Sequence, residues 1–203
     1  VTWFGEVQPE GAAGYLMKIY DANAPYSNTP ECAKRVKVDI GPLVDAMGRT
    51  GDQRFCNVID PFLTLDEGFF SQAAFMALGR LKCAGMAKRF MESMVMTATE
   101  RKEGKFSTLE ESRDWQMEGR LQERRNAIIA SRYLGDPAVA DTLMDIVMDP
   151  VDDPELRSEA SDSLAYVAND DVMQKILEKV NDSSLDVVAR ASLIKGLRHN
   201  PSD

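Results

Sequence analysis

At 203 residues the chain has room for one domain with a sizeable core, or for a core plus an extension. Its 44% apolar and 28% charged residues are the balance of a soluble globular protein, and no apolar run approaches the roughly 20 residues that cross a bilayer. A formal charge of −9 argues against a phosphate-backbone binder, which needs clustered Lys and Arg, so no nucleic-acid partner is expected.

Residues 1–64 carry most of the turn signals: Pro9, Gly11, Gly14, Pro25, Asn28, Pro30, Gly41-Pro42, Gly48, Gly51-Asp52 and Asp60-Pro61. Only short elements are expected there, the best being a brief helix over 42–47 with Leu43, Val44 and Met47 on one face. Trp3, Phe4, Tyr15, Leu16, Ile19, Tyr20 and Tyr26 are too many apolar groups for a disordered tail, so the segment reads as an ordered, loop-rich cap. Of three cysteines, Cys83 falls in an apolar helical pattern and reads as a buried small hydrophobe. Cys32 and Cys56 are either a bridge, which fits a cell-envelope or secreted protein, or two thiols of a reducing cytoplasm.

From residue 65 the pattern changes to helical period, first over 69–96 and then, after a polar stretch, over 109–197. Ser107 and Thr108 followed by Glu110 and Glu111 form S/T-x-x-E capping signatures that start a long helix through Trp115 and Leu121. Gly135-Asp136-Pro137, Asp149-Pro150, Asp152-Asp153-Pro154, Asn169-Asp170-Asp171 and Asn181-Asp182-Ser183-Ser184 punctuate the chain beyond it, each supplying a helix stop and an N-cap.

The carboxy-terminal part superposes on itself at a spacing of 33 residues, which aligns Arg124, Arg157 and Arg190. Ala127, Ala160 and Leu193 coincide in the same register, and the following helix pairs Val139 with Val172, Leu143 with Ile176, Met144 with Leu177 and Val147 with Val180. An earlier copy matches at a spacing of 53, with Ala74 on Ala127, Met86 on Val139, Phe90 on Leu143 and Met94 on Val147. The excess of 20 residues is an insertion at about 98–117. Repeats of this period are stacked helical hairpins, none able to bury its apolar face alone. The copies run over about 69–97, 118–150, 151–182 and 183–200, giving a 1–64 cap and a 65–203 repeat region.

The ankyrin and tetratricopeptide signatures are absent. Ala77-Leu78-Gly79-Arg80-Leu81, Tyr133-Leu134-Gly135-Asp136-Pro137 with Arg124, and the helix from Leu156-Arg157 to Val167 resemble the short HEAT-like repeats of phycobilisome-lyase-type proteins. The resemblance covers residues 69–197 and implies an all-α, right-handed α-α superhelix, a HEAT-like solenoid. It also implies an inter-repeat ladder in which an Asp before each first helix pairs with that helix's Arg, here Asp153 with Arg157 and Asp186 with Arg190. The 118–150 copy departs from this pattern, with Arg120 in place of the Asp.

In solenoids the second helices line a concave face that holds a partner. Asp141, Asp145 and Asp149 form a stripe on one such helix, and their repeat mates Gln174, Glu178 and Asp182 form a parallel row. Two acidic rows would receive a basic helix or tail of a protein partner. Asp149 and Asp182 also stand at turns, and the first copy has Lys88, Glu92 and Met96 instead. Met86, Phe90, Met91 and Met94 occupy core positions of the repeat. The single His199 leaves Ser/His/Asp, Cys/His and zinc chemistry without members, and no CxxC, Walker A or dinucleotide fingerprint occurs. The expectation is a non-enzymatic interaction scaffold or assembly subunit with no metal and no cofactor. The resemblance leaves one alternative, a phycobilin-lyase-like protein that binds or attaches a linear tetrapyrrole; the paired His-Glu motifs of HEAT-like hydroxylases are missing.

Overall fold

The structure, a computed structural model, describes residues 11–23, 40–64, 68–103 and 115–197. Among these residues every regular element is helical and no strand occurs. Backbone contacts divide the chain into two compact units, Val1–Cys83 and Ala84–Asp203, so the sequence-based boundary at 64/65 lies inside the first of them.

The first unit contains α1 (Ala12–Asn23), α2 (Ile40–Arg49), α3 (Cys56–Ile59) and α4 (Gly68–Leu81), with 3₁₀ turns at Gln53–Phe55 and Asp60–Thr64. Helix α2 is the element expected over 42–47; Leu43, Val44 and Met47 are buried on one face, and α2 packs against α4. The approach is close enough to require glycine, because a Cβ on Gly48 would lie 2.5 Å from both Cα and Cβ of Ala77. Asp45 ties the same pair together by accepting from Arg49 at 2.9 Å and from Arg80 on α4. Burial opposes ionisation of Asp45, but the two guanidinium hydrogen bonds outweigh it and hold its carboxyl below the usual carboxylate range.

Two expectations for this segment change. Its described part is helical rather than loop-rich, because α1 runs on past Gly14, whose Cβ position is open space, and anchors itself through buried Ala12 and Leu16. Tyr20 adds an edge-to-face contact with Phe62, ring centroids 6.4 Å apart. The cysteine pairing also differs. Cys56 bonds to Cys83, not to Cys32, with Cα atoms 5.8 Å apart, so Cys83 is buried but not a thiol. The bridge joins the start of α3 to the turn after α4, a juxtaposition that exists only once α4 has packed. Cys32 and the Trp3–Phe4 stretch lie outside the described residues.

The second unit contains α5 (Met86–Met94), α6 (Ala98–Glu103), α7 (Trp115–Leu134), α8 (Ala140–Met148), α9 (Pro154–Val167), α10 (Asp170–Asn181) and α11 (Val187–Leu197). Helix α7 packs on α9 and α9 on α11, so the first helices of successive copies stack in a row. Each second helix has its main contact with the first helix of the next copy: α5 with α7, α8 with α9, α10 with α11. Several residues aligned at the 33-residue spacing share burial, with Ala127, Ala160 and Leu193 all in the core and Val139, Leu143, Val172 and Ile176 beside them, whereas Leu177, the mate of buried Met144, is exposed. Met86, Phe90 and Met94 are likewise buried. The helices α4 and α5 of the earliest copy fall in different compact units.

The punctuation works as helix chemistry dictates. Gly135, at φ 62, closes α7 in the left-handed conformation, and its amide donates to Ser131 O at 3.0 Å. Asp136 accepts from Ala138 N at 2.9 Å to start the next turn. Asp153 caps α9 by accepting from Glu155 N at 2.8 Å and Leu156 N at 3.2 Å, with Pro154 at the first helical position, and Asn169 caps α10 through Val172 N at 2.9 Å. At the start of the insertion, Thr97 and Glu100 form a reciprocal capping box for α6, at 2.5 and 3.2 Å. The box expected at residues 107–111 lies outside the described residues.

Candidate functional site

Two sets of charged groups stand out in the second unit, one buried and one exposed. The buried set is built on the repeated arginine. Arg124 is fully buried on α7; its Nε donates to Met94 O at 2.8 Å, and its Nη1 and Nη2 clasp Asp152 at 2.9 and 2.5 Å. Asp152 also accepts from Asp153 N at 2.8 Å, so the carboxylate is held from two sides. Arg157 reaches Val147 O at 3.1 Å, and Arg190 reaches Asp182 O at 2.9 Å and Leu185 O at 3.2 Å.

The three arginines therefore share one task. Each sends a cation to carbonyls at the C-terminal end of the preceding second helix, where unsatisfied C=O groups and the negative end of the helix dipole favour it. Arg120, which breaks the ladder pattern, serves the same end: its guanidinium donates to Ser93 O and Val95 O, both at 2.9 Å, and pairs with Glu100 at 3.0 Å. The ladder itself does not form. Neither Asp153 with Arg157 nor Asp186 with Arg190 is an ion pair in this fold, because both aspartates cap helices instead, Asp186 through Ala189 N at 3.0 Å. Of the three repeated arginines, Arg124 alone has a buried carboxylate among the described residues. The repeat mate of Asp152 is Leu185, and Arg157 Nη2 and Arg190 Nε are buried with no hydrogen-bond partner among the described residues.

The exposed set is the row of second helices. Lys175 on α10 contacts both oxygens of Asp141 on α8, at 2.8 and 2.9 Å, so the two helices run close enough for their side chains to meet. Asp145 and Glu178 are exposed, and Gln174 donates to Glu178 at 3.1 Å. Asp149 and Asp182 leave the row for the turns. Asp149 accepts from Val151 N at 3.0 Å and from Arg101 at 2.5 Å; despite burial, these bonds keep its carboxyl below the usual range. Asp182 is lowered by its bonds from Ser184, at 2.7 Å to the hydroxyl and 2.9 Å to the amide. The outward positions are thus Asp141, Asp145, Gln174 and Glu178, with Lys175 set between the rows and Asp182 exposed at the turn beyond them.

Sequence reasoning did not single out Asp152, Arg101 or Glu100. The Asp152-Asp153-Pro154 signal is legible as a cap, but which aspartate caps and which turns inward depends on α7 lying alongside. Among the described residues no group of three or more His, Cys, Asp and Glu side chains is placed to hold a metal ion. No helix of the described residues is long and apolar enough to cross a membrane. No protein-family model matches the chain, and no curated protein matches it, so the arrangement of its own side chains is the ground for a functional reading.

Proposed function

We propose that the chain is a non-catalytic protein-interaction scaffold, a HEAT-like right-handed α-α superhelix that takes a basic helix or tail of its partner along the second-helix row. The observation that carries this reading is the Lys175–Asp141 ion pair that links α8 and α10, with Asp145 and Glu178 exposed on the same two helices. The 33-residue repetition of buried positions supports a stack whose rigid rows display such side chains at fixed intervals. Charge complementarity of this kind chiefly sets on-rate and partner choice. The Cys56–Cys83 bond supports an oxidising compartment.

The test is co-purification to identify a partner, followed by binding measurements with Asp145→Lys and Glu178→Lys. Each reversal should weaken binding by roughly tenfold or more at low salt, and the wild-type affinity should fall as salt rises. Affinity unchanged by the double reversal would rule out this face.

A further inference from the structure

Asp149 and Asp182 hold the same place in successive copies, at the ends of α8 and α10, and the repeat treats them alike. Each accepts from the backbone amide two residues on, Val151 N at 3.0 Å and Ser184 N at 2.9 Å, and each lies within the field of the repeated arginine, Arg157 or Arg190. Their outside partners differ. Among the described residues Asp182 has no ion pair, whereas Asp149 accepts at 2.5 Å from Arg101, which lies 48 residues earlier on the insertion helix α6. The turn therefore closes without this cation, and the insertion supplies it in addition.

Helix α6 is six residues long, too short to be stable by itself. None of the unit's extensive helix packing involves it, and Ala98 on it is exposed. Among the described residues its anchors are polar: the Thr97–Glu100 capping box, the Glu100–Arg120 pair at 3.0 Å and the Arg101–Asp149 pair. The Arg101 side chain is 50% exposed, and an ion pair so open to water is readily exchanged for another.

We infer that α6 is an autoinhibitory strap, in which Arg101 occupies the Asp149 end of the α8 stripe and gives way when a partner's basic helix or tail binds there. This rests on the acidic-row reading of the proposed function and adds its regulation. Asp141, Asp145 and Asp149 stand at i, i+4 and i+8, so the ends of the stripe lie about 12 Å apart, within reach of one docked basic helix. Both ends hold a cation of the chain's own, Lys175 on Asp141 and Arg101 on Asp149. Lys175 belongs to α10, which is anchored by buried Val172 and Ile176, so it moves only as a side chain. Arg101 belongs to a helix that can lift as a whole, and it is the cation whose departure restores a carboxylate to the stripe.

Calorimetric titration of the whole chain with a synthetic helical peptide bearing lysines at i, i+4 and i+8 tests this. Arg101→Gln should bind the peptide roughly three- to fivefold more tightly than wild type, while Lys18→Gln, which removes an exposed charge from the first unit, should change affinity far less. Glu100→Ala separates release of the strap from a change of charge. It removes a negative charge, which by itself weakens binding of a cation, but it unties α6 and should tighten binding roughly twofold. The amides of α6 should exchange faster in both variants and in the peptide complex. Affinity unchanged or lowered in either variant, or α6 amides unaltered by the peptide, overturns the strap; if Asp145→Lys with Glu178→Lys still abolishes binding, the acidic row stands without it. Binding indifferent to those reversals overturns the row and the strap with it.

Discussion

In the first unit α2 and α4 approach until a glycine is required, and a disulfide closes the turn after α4; in the second unit the same problem of joining helices is met by a repeated arginine. Close approach gains dispersion contacts along two helix backbones but tolerates no added atom at Gly48. The arginine device works at longer reach, since a guanidinium on one helix satisfies the end carbonyls of another. It can therefore recur every 33 residues with differing small side chains between the helices. The contrast teaches that a repeat keeps an end-capping geometry more readily than a surface fit.

The largest expected effect belongs to the buried pair. Asp152→Ala should cost about 3–5 kcal/mol in denaturant unfolding, because it strands the Arg124 charge inside the protein, whereas Arg124→Met with Asp152→Leu should cost far less. A small effect of the single substitution would mean that the arginine caps alone hold the second unit.

Reduction of Cys56–Cys83, or Cys56→Ser with Cys83→Ser, should cost roughly 2–4 kcal/mol, since the bond closes a segment of sequence separation 27. Hydrogen exchange should show the loss in the amides of α3 and α4. Equal loss in α9 and α11 would break the distinction between the two units. Gly48→Ala should cost about 1–3 kcal/mol by overpacking against Ala77, read as a lower Tm, even though alanine is the better helix former.

The smallest effect is a pH dependence that sharpens the comparison. Asp45 in the first unit and Glu100 and Asp149 in the second all have lowered carboxyl pKa values. In each, burial works against ionisation, and bonds from Arg49 and Arg80, from Thr97 and Arg120, or from Arg101 and Val151 outweigh it. A depressed folded-state pKa gives stability that is fully present above the unfolded value of about 4 and lost as pH falls through the lower folded value. Thermal melts below about pH 4 should therefore fall, and Asp149→Asn should flatten part of that slope.

Much of the second unit could be read from one chain. Helical period, the 33-residue spacing and the Asp and Pro stops depend on local rules, and they place α8 to α11 with their buried faces. Reading failed where two uses compete for one side chain or where its partner lies far along the chain. The aspartates of the ladder have an alternative use as caps, and spacing alone does not choose between them. Helix α1 was hidden because Gly11 and Gly14 look like breakers until Leu16 has a surface to bury against.

What the amino-acid order determined by itself is therefore the all-helical class, the repeat and its stops, since these arise from contacts within a turn or two. Tertiary structure decided three other things: that Cys83 is the partner of Cys56, that Asp152 neutralises Arg124, and that Asp149 is drawn out of the acidic row. Each depends on groups brought together across 27 residues or more, or on a side chain drawn away by such a group, as Arg101 draws Asp149. Burial and pairing at that range are properties of the packed chain, not of any segment of it.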